Sequence, residues 1–165
     1  GGFLGGVGGG CFWWNLVWWC FCFWWDCCCW GEGGVVNYND KNVKILGDIP
    51  IYVNHDSADV WLNKEMFELD ETGNMELVSG AVPDSFNTEG QIWGNALYRW
   101  DLHKEDDFKY WKEKLNKSLN LYDYLRIDHF IGFFKYWSIP KGESALNGYW
   151  REGPRFDFFK EISKI

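Results

Sequence analysis

Two short apolar segments, separated by a long intervening stretch, most constrain the fold of this chain. The first, residues 41–53, contains the apolar runs Val43–Leu46 and Ile49–Val53, and it predicts a buried strand that ends in a polar loop. The second, Leu121–Phe130, predicts another strand, and a helical pattern lies before it over Lys104–Asn120. The order strand, excursion, helix, strand favours parallel strands joined by a crossover connection, and therefore an α/β fold.

The predicted helices are defined by the spacing of their apolar residues. In the helix over Lys104–Asn120, apolar residues recur every three or four positions, as on one face of an α-helix. These positions are Phe108, Trp111, Leu115 and Leu119. A further helix is predicted over Phe156–Ile165, after the break at Gly153 and Pro154. Its apolar positions are Phe158, Phe159 and Ile162.

The excursion between the two strands contains three recognisable parts. Ser57 or Asp56 is expected to cap a short helix that carries Val60, Trp61 and Leu62. Phe67–Leu77 alternates on both sides of a turn and predicts a small hairpin. Val78–Trp100 is predicted to be a loop, and loops of that length are usually functional or disordered. Two aromatic residues in it, Trp93 and Phe86, argue against disorder and would by themselves be interpreted as satellite core residues.

The first 36 residues differ in composition from the rest of the chain. They contain all six cysteines and, apart from Asn15, Asp26 and Glu32, use only Gly, Phe, Leu, Val, Cys and Trp. Each of these six residue types can be encoded by codons of G and T alone. We therefore interpret residues 1–36 as a translated stretch of G/T-rich DNA that is not native, and residues 37–165 as the domain.

Other interpretations of the first segment fit its residues poorly. A zinc or iron-sulfur site needs separated cysteine pairs, whereas Cys27, Cys28 and Cys29 are adjacent and no His lies nearby. The apolar run Phe12–Trp25 is shorter than the roughly 20 residues of a membrane span. A signal peptide needs a basic start, and Gly1–Gly10 carries no charge. The sequence therefore predicts no metal site and no membrane anchor.

Charge and cysteine usage limit the partners and the compartment. The chain has 16 Lys and Arg against 24 Asp and Glu, and this net charge of -8 opposes binding to nucleic acid or to anionic membranes. No cysteine follows residue 36, so there is no disulfide framework and secretion is not indicated. We expect a cytoplasmic protein, or a plastid one if the source is a plant or alga. The 13 Trp exceed what a core needs, and such a surplus suits either stacking on sugars or an aberrant segment.

The strongest chemical signal lies at the end of the second predicted strand. Arg126 and Asp128 are separated by one residue, so both side chains project from the same face, about 6 to 7 Å apart along the strand. An arginine at that distance favours an ionised carboxylate, which a nucleophile at the C-terminal end of a parallel strand requires. A structural ion pair explains the same spacing, and Asp48 at the end of the first strand has the same two interpretations.

Four ordered motifs in this chain resemble the 4-alpha-glucanotransferase family, also called amylomaltase or disproportionating enzyme. They are GDIPIYVNHDSADVW at Gly47–Trp61, PDSFNTEGQIWGNALYRWD at Pro83–Asp101, LRIDHFIGF at Leu125–Phe133 and YWSIPKGESALNGYWREGP at Tyr136–Pro154. The resemblance covers about Val43–Ile165. It implies part of a (β/α)8 TIM barrel of the alpha-amylase clan type, with an inserted loop and hairpin excursion.

The resemblance also implies a retaining transfer reaction and the residues that perform it. Asp128 would be the nucleophile that forms a covalent glycosyl-enzyme intermediate, Arg126 would hold it ionised and oriented, and His129 would hydrogen-bond the sugar before the scissile bond. A retaining enzyme also needs an acid/base carboxylate about 5 to 5.5 Å from the nucleophile. In the family this Glu belongs to a later strand, beyond residue 165. No cofactor and no metal ion are implied.

Further residues are implied to bind substrate, namely alpha-1,4-glucans such as maltooligosaccharides and fragments of starch or glycogen, with glucose as an acceptor. One group belongs to a mobile loop that covers the cleft and lines the acceptor side: Asp84, Phe86, Gln91, Trp93 and Asn95. Asp56 matches a further sugar-contacting position.

Two alternatives remain open at this point. A hydrolase of the same clan would share Arg126, Asp128 and His129, but it would not be expected to carry the Pro83–Asp101 loop. The chain could instead be a noncatalytic sugar-binding remnant or a pseudogene product. We expect the 165-residue chain by itself to be inactive and to form no cooperative domain, because two barrel strands leave unpaired edges.

Overall fold

The computed structural model describes residues 41–165, so the predictions made for residues 1–36 lie outside the described residues. Its strands are β1 (Leu46–Pro50), β2 (Leu77–Ala81), β3 (Gln91–Ile92), β4 (Tyr124–Asp128), β5 (Lys135–Pro140) and β6 (Tyr149–Glu152). Its α-helices are α1 (Ala58–Leu62), α2 (Trp100–Glu105), α3 (Lys109–Leu121) and α4 (Phe156–Ile162). Short 3-10 turns occupy Lys64–Met66, Phe130–Phe133 and Ala145–Asn147.

The two strands predicted from the sequence form a parallel pair, as expected. In the pair β1–β4, Asp48 lies opposite Arg126 and Pro50 opposite Asp128, which brings the polar ends of both strands to one edge. The prediction that β1 is buried throughout is wrong. Ile49 is buried, but the side chain of Leu46 is 64% exposed, because successive side chains of a strand point to opposite faces.

A four-stranded antiparallel sheet with the order β3-β2-β5-β6 was not predicted. Part of the stretch predicted as a loop, Val78–Trp100, contributes β2 and β3. The other two strands, β5 and β6, lie between the predicted second strand and the last helix. β2 pairs with β5 from Leu77 opposite Pro140 to Gly80 opposite Trp137. The interpretation of Val78–Trp100 as a single loop leaves no place for β2 and β3, and no strand is predicted between Phe130 and Phe156, where β5 and β6 lie.

The long helix predicted over Lys104–Asn120 is instead two helices, α2 and α3. Asp107 and Phe108 interrupt it with left-handed backbone conformations, at φ values of 55° and 56°, which β-carbon contacts disfavour in non-glycine residues. This turn places Phe108 in an edge-on contact with the Phe158 ring at 5.5 Å. The predicted apolar face is buried at Phe108, Trp111 and Leu115, but Leu119 is 48% exposed.

The predicted hairpin at Phe67–Leu77 reverses direction without forming a ladder. A single bridge joins Leu69 to Met75. The turn is held by Asp70, whose Oδ1 accepts from the backbone nitrogens of Thr72 and Asn74, both at 2.8 Å. By contrast, the predicted cap of α1 is confirmed, since Ser57 Oγ accepts from Val60 N at 3.3 Å.

An aromatic core joins these elements. Trp111 lies at its centre, fully buried, and its ring contacts Tyr98 at 5.4 Å, Phe133 at 5.1 Å and Phe158 at 5.6 Å. The rings of Phe133 and Phe158 stack at 4.2 Å, which attaches α4 to the turn after β4. This core supports the ends of β1 and β4, where the polar residues gather.

Within residues 41–165, no helix is long and apolar enough to cross a membrane.

Candidate active site

Arg126 joins two carboxylates at the C-terminal edge of the parallel pair. Its Nε donates to Asp48 Oδ1 at 3.1 Å and its Nη2 donates to Asp128 Oδ1 at 2.8 Å. The contact with Asp48 follows from the strand register, which places Asp48 opposite Arg126. The contact with Asp128 arises because Arg126 and Asp128 lie two positions apart on β4 and therefore share one face of the strand. The structure thus brings together three residues that the sequence singled out at two distant strand ends.

The orientation of the Asp128 carboxylate is set by this arrangement. Arg126 holds Oδ1, and no described residue donates a hydrogen bond to Oδ2, so one oxygen remains available to a bound molecule. The side chains of Arg126 and Asp128 are 55% and 46% exposed, and ion pairs with that exposure stabilise a fold only slightly. The pair therefore does more to direct the carboxylate than to stabilise the strand pair.

His129 directly follows Asp128 and turns the chain away from β4. Its backbone is left-handed, with φ 50° and ψ 44°, and it begins the 3-10 turn Phe130–Phe133. The imidazole is half-buried, and this burial lowers its pKa, while the negative charge of Asp128 acts in the opposite direction. Within the described part of the chain, no residue hydrogen-bonds the ring nitrogens of His129. The imidazole can therefore donate to, or accept from, a bound hydroxyl.

Trp93 contributes an aromatic ring next to His129. The two ring centroids lie 4.6 Å apart at an interplanar angle of 86°, an edge-to-face contact. Trp93 Nε1 donates to Gln91 Oε1 at 3.0 Å, and Trp93 N donates to the Ser79 carbonyl at 3.0 Å. The side chains of Gln91 and Trp93 are therefore brought together, and the segment that carries them is attached to β2.

The other residues of the predicted substrate loop lie in different settings. Asp84 Oδ1 accepts from the backbone nitrogens of Phe86 at 2.8 Å and Asn87 at 2.7 Å, so its carboxylate builds a turn. Phe86 is 98% exposed, and its interpretation as a satellite core residue is wrong, whereas Trp93 does pack against the core. Asn95 is held through its backbone, which donates to Ser79 Oγ at 3.3 Å.

Asp56 lies at a cleft to which Arg126, Asp128 and His129 do not contribute. It is exposed, and it lines an open cleft of about 550 Å³ together with Trp61, Lys64 and Thr72. Among residues 41–165, no three His, Cys, Asp or Glu side chains are grouped so that they could hold a metal ion.

Sequence reasoning missed Tyr52, which lies beside His129. Its ring centroid is 6.1 Å from that of His129 and 6.3 Å from that of Trp93. The side chain is only 4% exposed, and its hydroxyl has no hydrogen-bond partner among the described residues. The only available signal was the position of an aromatic residue just after β1, in the run IPIYV, and a core role explains that equally well.

Comparison with known proteins identifies similar sequences and a similar structure. The sequence profile of the family described as 4-alpha-glucanotransferase matches residues 35–165. A 4-alpha-glucanotransferase from Clostridium butyricum is 48% identical over 128 residues, which cover 76% of this chain and 26% of that protein. One from Streptococcus pneumoniae is 42% identical over 127 residues, 76% of this chain and 25% of that protein.

The structural comparison agrees with these sequence matches. The solved structure of an amylomaltase from Streptococcus agalactiae, in complex with acarbose, superposes with a TM-score of 0.77 and 41% identity, covering 80% of this chain and 27% of that protein. The chain therefore spans about a quarter of the length of the relatives it matches.

Proposed function

This chain belongs to the 4-alpha-glucanotransferase family, and from that premise we propose that it is the nucleophile-bearing part of a retaining glucanotransferase. The observation that carries the proposal is the pair of hydrogen bonds by which Arg126 joins Asp48 and directs Asp128. The two strands involved would be roughly the third and fourth strands of a (β/α)8 barrel. Their parallel pairing is the arrangement that such a barrel requires.

In the proposed reaction, Asp128 acts as the nucleophile. Its free oxygen attacks the anomeric carbon of an alpha-1,4-linked glucose unit, and the glycosidic oxygen leaves with a proton from a general acid. The resulting glycosyl-Asp128 ester is then attacked by a hydroxyl of the acceptor sugar, whose proton returns to the same acid/base group, and the carboxylate is released. Two displacements at one carbon retain the configuration. We assign no residue of this chain to the acid/base role.

Arg126 would support both steps through its fixed position. A planar guanidinium can bond two carboxylates at once, and here it does so with Asp48 and Asp128. Because Asp48 restrains Nε of Arg126, Nη2 of Arg126 remains directed at Asp128 when that carboxylate loses its charge and forms the ester. This restraint keeps the attacking oxygen aligned, and alignment is a large part of catalysis by positioned groups.

His129 and Trp93 would bind the sugars on the two sides of the reacting bond. The ring nitrogens of His129 would hydrogen-bond a hydroxyl of the donor glucose. Trp93 and Gln91 would line the acceptor side, with Asp84, Phe86 and Asn95 on the same loop and Asp56 at a further sugar contact. The folded position of this loop against His129 favours a sugar over water as the acceptor, and therefore transfer over hydrolysis.

The proposed partners are alpha-1,4-glucans, including maltooligosaccharides and fragments of starch or glycogen, with glucose as an acceptor. We propose no nucleic-acid or membrane partner, in keeping with the net charge of -8. The proposed location is the cytoplasm, or a plastid in a plant or alga, because residues 37–165 contain no cysteine for a disulfide framework.

The full-length protein that carries this segment provides the test. Incubated with maltotriose, it should release glucose and accumulate longer maltodextrins. Asp128→Asn should lower this turnover by several orders of magnitude, since an amide is not a nucleophile, while the far-ultraviolet circular dichroism stays unchanged. Asp123→Asn is the matched control, because Asp123 forms an ion pair with Lys44 at 2.8 Å at the opposite end of β4.

Two results would contradict the proposal. The first is an Asp128→Asn protein that keeps more than a few per cent of the activity with contamination excluded. The second is a wild-type protein that yields reducing ends without longer oligomers, which would indicate the hydrolase alternative.

A further inference from the structure

Two aromatic rings from different parts of the fold enclose the His129 imidazole. Tyr52 approaches it from the end of β1, with ring centroids 6.1 Å apart, and Trp93 approaches it from the loop after β3, with centroids 4.6 Å apart. The rings of Tyr52 and Trp93 also contact each other, at 6.3 Å. His129 therefore has one aromatic neighbour on the strand pair and another on the proposed acceptor loop.

Tyr52 is the rigid side of this enclosure. Its ring stacks on Tyr98 at 6.2 Å, and Tyr98 is fully buried. The Tyr98 hydroxyl donates to the Ile51 carbonyl at 2.7 Å, which ties the core to the residue before Tyr52. Because the core determines where Tyr52 lies, this ring cannot adjust easily when a ligand binds.

Trp93 is the side that belongs to the loop. Its indole is bonded to Gln91, a neighbour on the same segment, and its backbone is bonded to Ser79 on β2. No described residue of β1 or β4 hydrogen-bonds the Trp93 side chain. The edge-to-face contact with His129 is thus a direct link from the loop to the end of β4.

We propose that Tyr52 and Trp93 are positioning residues for His129, and that the acceptor loop acts through the Trp93 ring to hold the donor-side imidazole in place and away from water. This inference rests on the proposed function, because it assigns the two sides of the reacting bond as above. It adds a role for Trp93 beyond sugar contact, and it assigns a role to Tyr52, a residue of the first motif for which the sequence indicated none.

The electrostatic surroundings of His129 make this role measurable. Burial lowers its pKa and Asp128, on its own strand, acts against that decrease. The elements packed against the imidazole contribute Tyr52 and Trp93. The indole of Trp93 carries no charge, and burial raises the pKa of the Tyr52 phenol, so this ring is uncharged as well. Removing the Trp93 ring would readmit water and weaken the effect of burial. The pKa of His129 should then rise, and more of it would be protonated at mildly acidic pH.

The protonation state matters for sugar binding. A neutral imidazole has one donor and one acceptor nitrogen, whereas the protonated ring only donates. A glucose hydroxyl can both donate and accept, so the neutral ring can adapt to either role of that hydroxyl. A change in the position of Trp93 when an acceptor sugar binds would therefore alter donor binding through His129.

The test is a titration of His129 by NMR in the full-length protein, labelled at histidine Cε1, with the signal assigned by its loss in His129→Gln. Trp93→Ala should raise the pKa of His129, because water readmitted beside the imidazole reduces the effect of burial. Trp93→Phe and Tyr52→Phe should change it less, because each keeps a ring. The control is Phe86→Ala, which removes an exposed aromatic residue from the same loop.

The expected set of results is a raised His129 pKa in Trp93→Ala, an unchanged one in Phe86→Ala, and an acidic limb of kcat/KM that moves with the pKa. An unchanged His129 pKa in Trp93→Ala, with a raised KM for the acceptor, would overturn the inference and leave the proposed function intact. Absence of glucan transfer by the wild-type protein would instead reject the proposed function, whatever the titration shows. Trp93→Leu, which removes the ring but keeps an apolar side chain, should also raise the pKa of His129, so a folding defect in Trp93→Ala does not remove the test.

Discussion

Asp48 and Arg126 lie opposite each other across the parallel pair β1–β4, and Arg126 Nε donates to Asp48 Oδ1 at 3.1 Å. This contact leaves Nη2 directed at Asp128. Asp48 thus helps to align Asp128, the proposed nucleophile, through Arg126. Among the described residues, Asp48 and Asp128 form no hydrogen bond with each other.

Asp48→Asn should lower the turnover of the full-length protein by about tenfold, because it removes the charge that restrains Arg126, and one charge-assisted hydrogen bond is worth roughly 1.5 to 3 kcal/mol before solvent screening reduces it. The KM for maltotriose should change less than kcat. Steady-state kinetics would measure both, with Asp123→Asn as the control for an ion pair at the other end of β4. Equal kcat values in Asp48→Asn and the wild type would contradict the positioning role.

Arg126→Lys should lower kcat by about a hundredfold relative to the wild type, a larger loss than that expected for Asp48→Asn. A lysine keeps the charge but lacks the planar fork that reaches two carboxylates. The same kinetic assay measures the effect, and Arg99→Lys, at an exposed arginine on a different segment, is the matched control. A lysine variant that works as well as the wild type would show that charge alone suffices beside Asp128.

Acidification should destabilise the protein through His103. This side chain is fully buried among aromatic rings, and burial lowers its pKa from 6.5 to about 4. The unfolded chain therefore takes up a proton as the pH falls below about 6.5, while the folded state does not until about pH 4. The free energy of unfolding should decrease over that window by about 3 kcal/mol from this group.

Urea denaturation of the full-length protein at pH 7 and at pH 4.5 would measure this decrease. His103→Gln should lower the stability at pH 7 but reduce its dependence on pH, since glutamine does not titrate. His55→Gln, at a histidine whose Nε2 contacts the Gly73 carbonyl, is the control for replacing a histidine elsewhere in the chain. An unaltered pH dependence in His103→Gln would show that other groups cause the acid sensitivity.

The 165-residue chain expressed alone should neither transfer glucose units nor unfold as one cooperative domain. The pair β1–β4 has only two strands, and such pairs are marginal in water without further partners. We expect the amide protons of β1 and β4 to exchange with deuterium faster than those of β2 and β5, which belong to the four-stranded sheet. Uniform protection together with a sharp urea transition would contradict this prediction.

Residues 1–36 should be absent from the natural gene product, since their composition has no rationale in protein chemistry. Peptide mass spectrometry of the protein isolated from its source is the measurement. Peptides from Asn37 onward should be recovered, and those from the first segment should not. Recovery of a peptide that spans Cys20–Cys29 would end this interpretation.

The features that the sequence alone determined are local. The two strand segments β1 and β4, the Ser57 cap and the face shared by Arg126 and Asp128 all depend on residues a few positions apart, where the periods of strands and helices operate. For the same reason, the motif LRIDHF was enough to place the candidate nucleophile at the end of a strand. The resemblance of four motifs then indicated the family that the sequence comparisons show.

Only the tertiary structure decided the features that depend on contacts between distant residues. The break between α2 and α3 is accompanied by the contact of Phe108 with Phe158, and the antiparallel sheet depends on pairing between β2 and β5. Likewise, nothing near His129 in the sequence shows that Trp93 and Tyr52 enclose it. Local patterns specify which faces are apolar, but close packing selects which of many apolar partners meet, and that choice belongs to the whole fold.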